Sequence, residues 1–104
     1  MAYTVTWTGA SGTDYTYFVY QIPPELFARP GNYIFCKQSG DAWEPVYIGE
    51  TGDLSSRFDD HHAKLCIEQY GATHIHAHLN EDGEQARLDE EADLLKNHRT
   101  PCNK

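Results

Sequence analysis

A chain of 104 residues can build one compact domain with a real core and is too short for two. An apolar content of 39% with 12% Phe, Trp and Tyr excludes a disordered chain, and no apolar run approaches the ~20 residues needed to span a bilayer. Sixteen Asp and Glu against eight Lys and Arg give a net charge of −8, which excludes a uniformly basic nucleic-acid-binding surface and demands that any such site be local.

The opening "MAYTVTWTGASG" lacks the basic start and apolar stretch of a signal peptide, so a cytoplasmic protein with no membrane partner is expected. Tyr3 to Thr8 alternates β-formers and Tyr15 to Ile22 is a second aromatic and β-branched run. The turn-rich "GASGTD" between them predicts a hairpin. Pro23, Pro24 and Pro30 then allow at most a short helical turn, and "PPELFARPG" reads as a connector.

"GNYIFCK" and "EPVYIGE" predict a second hairpin, joined by a longer loop at "QSGDAW". Alternation puts Tyr33 and Phe35 on one face, Asn32, Ile34 and Cys36 on the other, and Tyr47 on the face of Gly49. A symmetric loop would pair Tyr33 with Tyr47, placing two phenols side by side.

Asp53 offers an N-cap to a helix through "LSSRFDDHHAKLCIEQY", with Leu54, Phe58, Leu65 and Tyr70 at near-helical spacing and Gly71 as the stop. Arg57 and His61, four apart, would share one helical face. "THIHAHL" predicts a strand with Ile75, Ala77 and Leu79 inward and His74, His76 and His78 outward. The histidine stripe could bind a transition metal or meet phosphate, but the polar side of an edge strand is the favoured reading.

The last helix, about Glu84 to His98, carries an apolar arc of Leu88, Ala92, Leu94 and Leu95, with Asp89, Glu90 and Asp93 on the solvated side. Glu91 departs from that pattern, projecting between Leu94 and Leu95 toward the core, where a carboxylate is costly unless a cation or hydrogen bonds meet it. Cys36, Cys66 and Cys102 are odd in number and widely spaced, so buried or half-buried free thiols are expected rather than a disulfide or a zinc site.

In order, "GNY" at Gly31 to Tyr33, "YIG" at Tyr47 to Gly49, Arg57-x-x-x-His61, Glu91 ahead of Leu94 and Leu95, and Asn103 after Pro101 resemble the signature of the GIY-YIG nucleases. The resemblance runs from Pro30 to Lys104, leaving 1–29 as an N-terminal hairpin extension and connector of the same fold and 30–104 as the nuclease-like part. Asn32 stands where the motif has Ile, and "GETGD" is more acidic than the usual stretch after YIG.

The resemblance implies an α+β domain, one mostly antiparallel sheet flanked by helices. Its implied activity is hydrolysis of a phosphodiester, in DNA sooner than RNA, with one Mg²⁺ or Mn²⁺. Glu91 would hold the ion, and Arg57 would fork onto the scissile phosphate. Tyr33 would act as base or place the water, with Tyr47 beside it. A phenol with a reference pKa of about 10 needs nearby positive charge from Arg57, the metal or a protonated His61. His61 could relay the proton, Gly49 and Asn103 would belong to the substrate-binding set, and Asn103 could fix a phosphate or a catalytic tyrosine.

Singly, each residue has a plainer reading. Tyr33 and Tyr47 could be half-buried strand aromatics, Arg57 a surface partner of Asp53 or Asp60, Glu91 the mate of a core-edge Arg, and Trp7 and Trp43 packing residues. The rival function is a catalytically inactive nucleic-acid- or protein-binding module, with a protein partner supplying the basic surface that this chain lacks.

Overall fold

A computed structural model describes residues 3–22, 24–55 and 61–103. Strands β1 (Thr4–Thr8), β2 (Asp14–Gln21), β3 (Gly31–Ser39) and β4 (Ala42–Thr51) precede helix α1 (Lys64–Gln69). Strand β5 (His74–Leu79) and helix α2 (Glu84–Asn97) complete the element order. All four strand pairings are antiparallel, in the sheet order β1-β2-β5-β3-β4. The expected α+β class and element order are therefore met, and the first hairpin adds two strands to the sheet by pairing β2 with β5. No described helix is long and apolar enough to cross a membrane.

Each face of the sheet carries its own core, as alternation requires when helices cover both sides. Tyr33, Phe35, Tyr47, Ile75 and Ala77 pack with Leu54, Ala63, Ile67 and Cys102 on the α1 side. Trp7, Tyr17, Ile34, Cys36 and Ile48 pack with Leu94 on the α2 side. Asn32 lies fully buried on the α2 side, away from Tyr33, and donates its amide to the carbonyl of Arg87 at 2.9 Å.

Several expectations are corrected. The β3–β4 loop is a two-residue turn at Gly40 and Asp41, with φ +62° at Gly40, because the strands stay paired out to Ser39 and Ala42. A bulge between Phe35 and Cys36 then shifts the register, so Tyr33 lies opposite Gly49 and Tyr47 opposite Phe35. β5 is the central strand rather than an edge: His76 is fully buried and accepts the Trp7 indole N–H at Nδ1 (2.9 Å). Trp7 and Trp43 pack as expected, Trp43 lying edge-on to His74 and His76.

The helix expected from Asp53 is seen only as Lys64–Gln69. Leu54 and Ile67 are buried, but Leu65 is 82% exposed, so the apolar spacing over this stretch was not one continuous helical face. His61 precedes the helix, and Arg57 and Phe58 lie outside the described residues.

On α2 the buried positions are Arg87, Glu90 and Leu94, whereas Leu88 and Ala92 are exposed. The helix is rotated from the expected phase because a polar layer of the sheet receives it. Glu90, 5% exposed, takes the Tyr17 hydroxyl at 2.5 Å, His78 Nε2 at 3.1 Å and the Asn80 amide at 3.2 Å. Asp93 is likewise not a free surface acid, accepting Ser11 N–H, Ser11 O–H and Tyr15 O–H to clamp the β1–β2 turn.

The cysteine expectation also fails. Cys66 and Cys102 form a disulfide between α1 and the C-terminal segment, their Cα atoms 5.7 Å apart, leaving Cys36 as the buried free thiol.

Candidate active site

At one end of β3 and β4, on the α1 face, the phenols of Tyr33 and Tyr47 lie side by side with centroids 6.1 Å apart and planes 22° off parallel. They meet diagonally across the hairpin instead of directly, and Gly49 makes this possible. A Cβ there would sit 2.7 Å from Tyr33 Cζ and Oη and 2.8 Å from Tyr47 Cε1. The glycine is thus a spatial requirement of the paired phenols.

His61 closes over the pair. Its Nε2 is 2.6 Å from Tyr33 Oη, and its Nδ1 accepts the Ala63 backbone N–H at 3.0 Å. With Nδ1 occupied as an acceptor, the neutral ring carries its proton on Nε2 and donates it to the Tyr33 oxygen. Burial, aided by neighbouring His62, pushes the His61 pKa down to about 4. That shift favours the neutral ring near pH 7 and runs against the expected contribution of a protonated His61 to the phenols.

His62, which the sequence analysis did not single out, is exposed yet reaches Tyr47 Oη with Nε2 at 3.1 Å and stacks on His61 at 4.5 Å. The adjacency of two histidines after an acidic pair was its only sequence signal.

Glu91 is half-buried on α2, as its odd helical position suggested. Burial raises its pKa, and the charge of Glu50 raises it further. Glu91 makes no hydrogen bond or ion pair with a described residue, because Arg87, the nearby core-edge cation, gives its Nε to Glu50 at 2.9 Å. Glu50 is the second acid that the sequence reading missed.

The field of Glu91 reaches both phenols. Burial first, then the charges of Tyr47 and Glu91, push Tyr33 well above the ordinary phenol range. Tyr47 is raised by burial and by Glu91, but its hydrogen bond with Tyr33 acts the other way and lowers it. Within this coupled pair Tyr47 is the more readily ionised group.

Asn103 does not hydrogen-bond a tyrosine. Its amide spans the backbone of Ile48, Oδ1 accepting N–H at 2.7 Å and Nδ2 donating to the carbonyl at 2.8 Å, so it holds the edge strand that carries Tyr47 and Gly49. Arg57 lies outside the described residues. Among the described residues, no three His, Cys, Asp or Glu side chains gather as a metal-holding group. No family model matches the chain, and no curated protein or solved structure matches it.

Proposed function

We propose that this chain is a GIY-YIG-type endonuclease that hydrolyses phosphodiester bonds, DNA before RNA, with one Mg²⁺ or Mn²⁺ held by Glu91. The observation that carries the reading is the coupled Tyr33–Tyr47 pair, seated over Gly49 and within the field of a half-buried Glu91 that has no partner among the described residues.

The donor set suits a hard divalent cation, which takes one or two carboxylates and keeps several waters. Burial and the Glu50 charge both penalise the Glu91 carboxylate, and a cation would relieve both penalties. When bound, the ion supplies polarisation of a phosphate oxygen and lowers the pKa of coordinated water.

The remaining steps fall to side chains. The His61 Nε2–H bond stabilises negative charge on Tyr33 Oη, and Tyr33 in turn favours ionisation of Tyr47. With cationic charge offsetting Glu91, Tyr47 would lose its proton to solvent first, and the phenolate so formed would then take the proton of the attacking water. Gly49 gives the two rings the space over the strand in which they pack together. The resemblance gives Arg57 the scissile phosphate, where a guanidinium forks onto two oxygens. Asn103 acts as a positioning residue through Ile48. The Cys66–Cys102 bond favours an oxidising compartment, so cytoplasmic placement is not carried into this proposal.

The net charge of −8 favours a second reading, a binding module that has kept the fold without cleavage. A plasmid-nicking assay with Mg²⁺ or Mn²⁺ separates the two. Nicking by the parent that is lost in Glu91→Ala and Arg57→Ala supports the nuclease. No nicking by folded parent on duplex, branched or single-stranded DNA supports the module.

A further inference from the structure

Beyond the phenol pair, on the same face of the sheet, lies a cleft of about 380 Å³. Its floor is Val46, the extra residue of the β4 bulge. One wall is Lys37 on β3, the other is Arg99 and Pro101 of the C-terminal segment, and Tyr70 at the end of α1 stands beside them. By strand alternation Lys37 shares the face of Tyr33 and Phe35, about 13 Å along β3 from Tyr33.

Three features set this cleft apart. Its cations are uncommitted: Arg29 is bound to Glu81 and Arg87 to Glu50, whereas Lys37 and Arg99 make no ion pair with a described residue. Their meeting in one cleft of so acidic a chain gives the local basic site that the composition demands. Its aromatic is available, since Tyr70 is 50% exposed and its ring is free to present a face to a planar ligand. Its walls are fixed in advance. The Cys66–Cys102 bond ties the C-terminal segment to α1, Cys102 N–H donates to the Val46 carbonyl at 3.1 Å, and the Lys37 stem runs 3.9 Å from where a Gly71 Cβ would be. A pre-formed site pays less ordering entropy on binding.

The geometry points to this cleft as a second nucleotide subsite, in which Lys37 and Arg99 take one backbone phosphate of a single strand and Tyr70 stacks on the neighbouring base. Glu44, opposite Lys37 in the strand register and also on the cleft, leaves a net charge of about one cation, enough for one phosphodiester rather than a run of them. The inference rests on the nucleic-acid reading above but not on cleavage. It gives the acidic chain a hold on its substrate away from the bond that is cut, and it predicts a preference for substrates with an unpaired strand flanking that bond.

The test is fluorescence anisotropy with a labelled hexathymidylate in EDTA across a salt series, on the full chain. The parent should bind. Lys37→Ala with Arg99→Ala should weaken binding at least tenfold at low salt and flatten the slope of log affinity against log salt by about 0.7 for each phosphate that is no longer neutralised. Tyr70→Ala should cost about tenfold with the slope unchanged, while Tyr70→Phe retains affinity. Arg29→Ala, whose cation is already paired, should change neither quantity. A parent that does not bind, or a Lys37/Arg99 double variant with parental affinity and slope, overturns the subsite. Because the measurement is metal-free, it stands apart from the nicking assay: cleft-dependent binding without nicking overturns cleavage alone, and nicking without cleft-dependent binding overturns the subsite alone.

Discussion

His76 makes the stability of this fold depend on pH in a way that can be worked from its surroundings. The ring is fully buried in the central strand; Nδ1 accepts the Trp7 N–H and lies 3.5 Å from Cys36 Sγ, while Nε2 has no hydrogen-bond partner among the described residues. With Nδ1 accepting, Nε2 carries the proton of the neutral ring, and a second proton would place a charge where no acceptor waits. Burial, with His74 adding to it, accordingly pushes the His76 pKa from 6.5 down to about 4.

Unfolded chain therefore binds a proton near pH 6.5 that folded chain refuses until about pH 4, so the stability contributed is whole above pH 6.5, falls between 6.5 and 4, and levels off below. Two to three pH units at about 1.4 kcal/mol each amount to about 3 kcal/mol, against a total of roughly 5–15 kcal/mol for a domain this size. Urea melts of the parent and of His76→Gln, whose amide oxygen can still accept from Trp7, should diverge by that amount from pH 7.5 to pH 4. The comparison cancels groups common to both proteins, including His78, whose raised pKa beside Glu90 works in the opposite direction, and the half-exposed His61. A parent-minus-variant difference that stays constant over the range would refute the burial argument.

Gly49→Ala forces a methyl to within 2.7 Å of the Tyr33 phenol, so a destabilisation of about 1–3 kcal/mol by thermal melting is expected, with nicking lost even in the surviving folded fraction. Asn103→Ala strands the Ile48 N–H and carbonyl and should cost about 1–3 kcal/mol in urea unfolding, with faster amide exchange at Ile48 as its local signature. Reducing the Cys66–Cys102 bond, which closes a separation of 36 residues, should lower stability by about 2–4 kcal/mol; a reductant should lower the melting temperature of the parent and leave that of Cys102→Ser unchanged. Glu91→Gln removes a charge that raises Tyr47, so the Tyr47 ring-carbon resonances should titrate at lower pH in the variant; Mg²⁺ should lower that midpoint in the parent and not in Glu91→Gln.

Much of the fold was legible because its signals are local. Strand alternation placed the four hairpin strands and the inward face of Ile75 and Ala77, and it sent Asn32 to the opposite side from Tyr33. Glu91 was legible for the same reason, one acid on an arc of leucines. What failed depended on partners far along the chain. Glu90 and Asp93 look like surface acids on a helical wheel and are buried or half-buried only because Tyr17, His78, Asn80, Ser11 and Tyr15 come to meet them. The histidine stripe looks like an edge because periodicity does not reveal which strands flank β5. The Cys66–Cys102 bond needs α1 and the C-terminal segment to meet, and the diagonal meeting of Tyr33 with Tyr47 needs a bulge at Val46 that no residue in "PVY" announces.

The acidity that argued against a nucleic-acid partner reads differently once the carboxylates have been placed. Glu90 is sealed among hydrogen-bond donors, Asp93 is held below the usual carboxylate range by Ser11 and Tyr15, and Glu81 is tied to Arg29. These are structural acids, and their charge is compensated where they stand. Glu50 and Glu91 differ. Glu50 has a single cation, Arg87, and Glu91 is left beside it with a raised pKa and no described partner. The charge of Glu91 thus lies close to two phenols and raises the pKa of both. A cation would relieve this acid pair and favour ionisation of a buried phenol, whereas in an inert adaptor a leucine at position 91 would pack with less cost. That contrast is what favours the metal-dependent reading proposed above over the binding module.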